Sequence, residues 1–316
     1  MFKICLNMIV KNESKTIVRL LSSVIDIIDT FVIVDTGSDD NTVKIIQKFF
    51  SKYNRIKGLI ITKDFRDFSS NRNEALRYCQ GFGDYILLLD ADHVLDFQLD
   101  KNLFNHLLKD NLDAYQILQE NKDYSCQNIR LVKNNNSFIY KGLTHEVLTP
   151  LKSSTIGTLD KSKIRIIDMA DGGSRNLKIK RDIELLNKEI ALDKNNSRAY
   201  FYLANTYFNI KFFKLAKKYY LKTIMLSDWN EELFFSYYRI GLIEIENKDY
   251  IIAIQNLLEA YNQNPDRCEN LYFLRELYRH YQKDNLEELV NKLISTNLKK
   301  ETSGFLFHNK RIYKKL

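Results

Sequence analysis

Through roughly the first hundred residues, short apolar runs alternate with segments whose apolar positions recur at helical spacing. The runs predict strands over Phe2 to Val10, Phe31 to Val34, Leu59 to Thr62 and Tyr85 to Leu89. Between them, Ser14 to Ile28, Thr42 to Tyr53 and Asn71 to Cys79 read as helices. Strand and helix in turn predict an α/β fold with a mixed, mostly parallel sheet flanked by helices. Each strand runs into a polar cluster: Lys11-Asn12-Glu13, Asp35 to Asn41, Asp64 to Asp67, and Asp90-Ala91-Asp92. Ligands of open α/β sheets sit beyond the carboxyl ends of the strands, so these clusters are expected to meet at one crevice.

From Asp96 to about Asp168 the pattern is less regular, with strand-like runs at Ala114 to Leu118, Ile129 to Val132 and Lys163 to Ile167. This stretch reads as the acceptor half of the same domain. The turn Asp171-Gly172-Gly173-Ser174 then opens a helical tract that begins with Leu177 to Leu192. Beyond it lies an internal repeat of the tetratricopeptide type. One copy carries Tyr200, Leu203, Ala204, Tyr207, Ala216 and Tyr220, and a second carries Tyr237, Ile240, Gly241, Ala253, Leu257, Ala260 and Pro265. The small residues of each copy, Ala204 with Ala216 and Gly241 with Ala253, fall where paired helices must approach closely. The second copy starts 37 residues after the first, which places a short insertion near Ser227 to Glu232. A half-copy at Leu271, Leu274 and Tyr278 is expected to cap the stack. The plain alternative is an irregular helical bundle. Two domains follow, a catalytic domain over 1–170 and a helical-repeat domain over 171–316.

Composition narrows the class. Ten glycines and two prolines in 316 residues leave little loop punctuation, and 45% hydrophobic content excludes a disordered chain. Cys5, Cys79, Cys126 and Cys268 lie far apart, which argues against a disulfide framework or a zinc knuckle and points to a cytoplasmic setting. No apolar run approaches the 18 residues of a membrane span, so a soluble or peripheral protein is expected. The net charge of +8 is spread out except near the end, at Lys299, Lys300, Lys310, Arg311, Lys314 and Lys315, and no nucleic-acid partner is expected.

Asp90-Ala91-Asp92 carries the strongest chemistry. Two carboxylates one residue apart at a strand end can hold a hard divalent cation and leave positions open for diphosphate oxygens. In Val34-Asp35-Thr36-Gly37-Ser38-Asp39-Asp40-Asn41-Thr42, Asp35 at a strand tip can accept from a nucleobase or ribose, and Asp40 or Asn41 can cap the next helix. With Met8-Ile9-Val10-Lys11-Asn12-Glu13 and Asp67-Phe68-Ser69-Ser70-Asn71-Arg72-Asn73, these four motifs resemble, in order, those of the family-2 glycosyltransferases, which share the GT-A fold. The resemblance implies a nucleotide-diphosphate sugar donor, UDP-linked by expectation, held by Val10, Asn12, Glu13, Asp35, Asp67, Arg72 and Ala91. It places Mg or Mn on Asp90 and Asp92. Downstream, Tyr140-Lys141-Gly142-Leu143-Thr144-His145-Glu146 is similar to a G-x-x-H-E segment in a branch of the family that also carries tetratricopeptide-like tails. There the resemblance implies Glu146 as the base of an inverting transfer and His145 as a further metal ligand. His93 departs from the family pattern, which often continues the metal motif with an acidic residue.

The acceptor is expected to be a glycan or a protein, docked on the helical repeats. Asp171-Gly172-Gly173-Ser174-Arg175 with Lys178, Lys180 and Arg181 is a secondary candidate for phosphate, or simply a capped domain junction. A reading of another class makes the chain a non-catalytic scaffold with a degenerate front domain. A nucleotidyltransferase would need a glycine-rich loop where Lys11-Asn12-Glu13 stands.

Overall fold

Each apolar run of the first third becomes a strand, and each run of helical spacing a helix. The computed structural model describes residues 1–97, 101–173, 178–300 and 306–316. Its first elements are β1 (Ile4–Val10), α1 (Ile17–Val24), β2 (Thr30–Asp35), α2 (Thr42–Phe50), β3 (Lys57–Thr62), α3 (Phe68–Tyr78) and β4 (Tyr85–Leu88). The strands lie in the order β3-β2-β1-β4 and all three pairs are parallel. Their carboxyl ends therefore open on one side.

The irregular stretch completes the same sheet. It holds β5 (His93–Phe97), α4 (Lys101–Leu107), β6 (Ala114–Glu120), β7 (Tyr124–Lys133), β8 (Phe138–Lys141), β9 (Val147–Pro150), β10 (Ile156–Thr158) and β11 (Ile164–Asp168). Strand β7 runs antiparallel to β4 and to β6, β11 pairs parallel with β6, and β5 pairs antiparallel with β11. A separate hairpin pairs β8 with β9. The sheet is mixed as expected, but β5, β8, β9 and β10 have no counterpart among the predicted strands. Each has only 3 to 5 residues, too short for an alternation to stand out.

Both faces of the sheet are covered, which explains the near-continuous apolar strands. Ile4, Leu6, Met8 and Val10 of β1 pack with Leu20, Leu21 and Val24 of α1 and with Ile46, Phe49 and Phe50 of α2. On the other face Cys5, Val32, Ile86 and Leu88 meet Leu76 of α3 and Phe138, Tyr140 and Leu148 of the hairpin. Asn7 interrupts the apolar pattern of β1, and its amide donates to the carbonyls of Val32 and Ala75 at 3.2 and 3.1 Å. That buried amide fixes α3 against the first two strands.

The chain divides into two compact units, Met1–Asn121 with Ser125–Ile179, and Lys122–Tyr124 with Lys180–Leu316. The first unit thus runs beyond the expected junction at residue 170. In the second, α5 (Lys178–Leu192) leads into α6 (Ser197–Asn209), α7 (Phe213–Leu226), α8 (Asn230–Glu246), α9 (Tyr250–Gln263), α10 (Glu269–His280) and α11 (Asp284–Asn297). Successive helices pack as the pairs α6–α7, α8–α9 and α10–α11. Ala204, Ala216 and Ala253 are fully buried, and a Cβ on Gly241 would lie 2.9 Å from the Leu257 side chain. The expected half-copy is a complete third pair. Among the described residues no helix is long and apolar enough to cross a membrane. Leu177, the expected start of the helical tract, lies outside the described residues.

A buried ion network closes the last repeat. Arg267 is fully buried and donates to Glu231 at 2.6 Å and to Glu269 at 2.5 Å. It also donates to the Leu306 carbonyl at 2.9 Å, with its guanidinium over Phe234 and Phe235. Arg267→Met would keep the stem but leave two buried carboxylates without their cation, a loss of about 3 to 5 kcal/mol. Urea unfolding of the repeat unit checks this, and an unchanged midpoint would show that the network carries no stability.

Candidate active site

The loops after β1 and β2 are stitched together by side chains that the sequence offers at the strand ends. Asn12, at φ 57°, donates its amide to Ser38 Oγ at 2.9 Å and accepts the Asp39 amide at 3.0 Å. The Thr42 hydroxyl accepts the Glu13 amide at 2.7 Å. Asp40 accepts the Thr42 amide at 2.9 Å and the Ser14 amide at 3.2 Å. Asp35 is 2% exposed. Its Oδ2 accepts from the amides of Gly37 and Ser38 at 3.2 and 3.0 Å, a turn that Gly37 permits at φ 94°. Its Oδ1 is sealed from solvent and has no partner. A buried carboxylate oxygen left so is costly, and a donor from a bound molecule would satisfy it. The Val10 carbonyl is taken by the amide and hydroxyl of Thr36, and the side chains of Val10 and Ala91 are in the core.

Asp67 turns its carboxylate to its own helix. It caps α3, accepting from the Ser70 amide at 2.7 Å and from the hydroxyls of Ser69 and Ser70. The helix is also tied to the segment before Glu146. The Phe68 amide donates to the Leu143 carbonyl, and Asn73 exchanges two hydrogen bonds with the Tyr140 backbone.

These ties bring Arg72 to the centre of the site, where its side chain is 13% exposed. It donates from Nε to Glu146 and from Nη2 to Asp90, each at 2.5 Å, and lies 5.6 Å from the Tyr140 ring centroid. Burial opposes the charge on Asp90, but Arg72, helped by Arg130 at 3.5 Å, more than offsets it. The carboxyl is held well below its usual range. Burial likewise pushes the Tyr140 hydroxyl up to about 12, so it stays protonated.

Asp92 has different company. Together with His93 and Asp168 it forms a group whose potential ligand atoms lie within 4.8 Å of one another. That group leaves out Asp90 and His145. His145 is half-buried at φ 50°, in the segment that leads to Glu146. The His93 ring, 2% exposed, accepts the Asp90 amide on Nδ1 at 3.1 Å. Burial takes its pKa down to about 4 against the pull of Asp90. Its Nδ1 is thus already used, and the Gln119 amide nitrogen lies 3.3 Å from Nε2. What remains for a cation is a set of hard carboxylate oxygens, which suits magnesium or manganese.

The segment after β11 crosses this acidic edge. The Met169 amide donates to the Asp92 carbonyl at 3.1 Å, and the Gly173 amide to Glu13 at 3.1 Å. A Cβ on Gly173 would lie 1.7 Å from the Asn12 carbonyl, and one on Gly172 3.2 Å from Asp92 Oδ2. Both glycines are there because the backbone passes this close. Asp171 pairs with both Nη atoms of Arg19 at 2.6 and 2.9 Å. Burial raises the Glu13 carboxyl above its ordinary value; Thr16 and Gly173 donate to it and counter the rise, while Asp92 and Asp171 add to it. Ser174 and Arg175, of the secondary phosphate candidate, lie outside the described residues.

The structure thus joins Arg72, Asp90 and Glu146, and places Asn12 beside the loop that follows Asp35. Arg130, Asp168, Gln119 and Arg19 also face these clusters and went unnoticed in the sequence, where none stands in a local motif.

The family model described as glycosyl transferase family 2 matches residues 5–166. A TPR repeat-containing protein of Synechococcus elongatus is 35% identical over 120 residues, 38% of this chain and 28% of that protein. An uncharacterized glycosyltransferase of Rickettsia felis is 31% identical over 119 residues, 38% of this chain and 39% of that protein. The chain thus spans well under half the length of these relatives. Among solved structures, Staphylococcus aureus TarS 1–349 aligns with a TM-score of 0.43 at 14% identity, covering 83% of this chain and 92% of that one.

Burial works against ionised Asp40, but the Thr42 hydroxyl and the Ser14 and Thr42 amides bring its pKa down to about 2. A depressed carboxylate stabilises the fold above its unfolded pKa of 3.8 and loses that contribution as pH falls towards 2. Asp40→Ala is expected to cost about 1 kcal/mol at neutral pH and much less near pH 2, measured by thermal unfolding across pH. An equal cost at both ends would mean the charge is not what matters.

Proposed function

The chain belongs to glycosyl transferase family 2, and from that membership we propose that it moves a sugar from a nucleotide-diphosphate donor, UDP-linked, to a glycan or protein acceptor, with inversion. The observation that carries this reading is the meeting of Asp90, Arg72 and Glu146, each from a different sequence motif, at the carboxyl edge of the sheet.

In this reading Asp35 Oδ1, buried and unpartnered, accepts a hydrogen bond from the base or ribose. Asp92 holds magnesium or manganese, with Asp168 beside it; His145 remains a further ligand by family resemblance. A bound divalent ion neutralises charge on the departing diphosphate. Asp90, set between Arg72 and Arg130, acts through those guanidiniums, which offer fixed, always-charged donors. Glu146 takes the proton of the acceptor hydroxyl as its oxygen bonds to the anomeric carbon. The bond from that carbon to the diphosphate oxygen breaks on the opposite face, and its electron pair leaves with the nucleotide. Arg72 holds Glu146 at the height of Asp90, so one side chain registers base and donor together.

The test is hydrolysis and transfer from a panel of nucleotide sugars with manganese, alongside manganese binding. Asp92→Asn is expected to lower turnover at least about a hundredfold and to weaken manganese binding, with unfolding unchanged. Wild-type turnover in that variant would remove Asp92 from the metal site. A wild-type protein that neither binds nor turns over any nucleotide sugar would overturn the function.

A further inference from the structure

The pairing of β6 with β7 slips by one residue. Tyr115 faces Leu131, but the next residue, Gln116, faces Ile129, so Arg130 is the extra residue of a β-bulge. Bulges bend a strand locally and re-aim one side chain, and they collect beside active sites. Here the slip lies next to the end of β4, because Leu87 pairs with Leu131 and the chain continues from there to Asp90. Without it, the alternation of β7 would carry the wrong side chains to this edge.

The re-aimed guanidinium spans the two acidic clusters. Its Nη1 lies 3.5 Å from Asp90 Oδ2, on the oxygen that Arg72 leaves, and its Nη2 donates to Gln119 Oε1 at 2.6 Å. Gln119 in turn donates to Asp168 at 3.3 Å, and Asp168 belongs to the group around Asp92. Asn128 donates to the same Gln119 oxygen at 3.0 Å, which fixes the amide's orientation. Arg130 Nε is sealed from solvent without a partner. The charges require Arg130: with Arg72 alone, Asp90 and Glu146 would leave a net negative pair where a diphosphate has to approach.

We propose that Arg130 is a positioning residue of the transfer reaction, which sets the Asp90 carboxylate and, through Gln119, its spacing from the Asp92 group. This rests on the functional reading above. The bulge is then a device of the site, and its purpose is to supply a second cation to Asp90. When substrate engages Arg72, Arg130 keeps Asp90 in place.

The experiment compares wild type, Arg130→Ala and Arg130→Lys in the full chain. It reads kcat and KM for donor hydrolysis, UDP binding with manganese by calorimetry, and Tm. Arg130→Ala is expected to lower kcat/KM about 10- to 100-fold, carried by donor KM and matched in UDP affinity, with Tm near wild type. Millimolar guanidinium should restore part of it, since the side chain is 15% exposed, and Arg130→Lys should fall between. Wild-type KM in Arg130→Ala overturns the proposal. So does a loss that follows Tm, resists guanidinium and recurs undiminished in Arg130→Lys. Failure of the wild type itself to hydrolyse a donor or bind UDP defeats the functional reading and this inference with it, whereas an active wild type with an indifferent Arg130→Ala defeats the inference alone.

Discussion

One buried guanidinium sets the geometry of the front unit's edge. Arg72 leaves the sheet on α3 and binds Asp90 and Glu146 at once. Neither carboxylate could face this half-dry edge alone, because removing an ion from water costs several kcal/mol unless it is paired. The rest of the scaffold serves to hold that side chain. Asn7 fixes α3 to the central strands, Asp67 caps its start, and Asn73 fastens it to Tyr140. Asn7, a polar residue in an otherwise apolar strand, is thus one of the side chains that aim Arg72.

Around it the acidic residues sort into two kinds of neighbourhood. Asp90 and Glu146 are matched by Arg72 and Arg130, so that cluster is near neutral. Asp92 stands among Glu13, Asp168 and Asp171, with Arg19 close by. A set of hard carboxylate oxygens suits a divalent ion. The two halves of the Asp90-Ala91-Asp92 triplet thus have different neighbours, Arg72 and Arg130 for Asp90, and His93 and Asp168 for Asp92. Both stand in the turn between β4 and β5, outside any strand.

Much of this was legible in the sequence because strand ends announce themselves. Asp35 and Asp90 each sit in a short polar run after an apolar one, and parallel strands must bring such runs to one side; Arg72 and Glu146 were legible only through the family resemblance. The repeat tail was legible for a similar reason, since Ala204, Ala216 and Gly241 mark close helix contacts. What was hidden depends on register. Arg130 reaches the site through a one-residue slip in β7 that no periodicity reveals, and Asp168 arrives on the last strand of the sheet. Asp67, expected from the resemblance to hold the donor, turns its carboxylate to the start of α3, where Ser69 and Ser70 donate to it. Gly172 and Gly173 read as a domain junction but lie against Asn12 and Asp92, a contact between residues far apart in the chain.

The proposed donor site joins the acidic and basic clusters, with the ion on Asp92 and the nucleotide on Asp35. A crystal structure of the full chain with UDP and manganese tests it most directly, with the metal located by its anomalous signal. The account predicts manganese against Asp92, the uridine within hydrogen-bonding reach of Asp35, and Asp90 still held by arginine. Manganese away from Asp92, or UDP bound outside the crevice between Asp35 and Arg72, would contradict it.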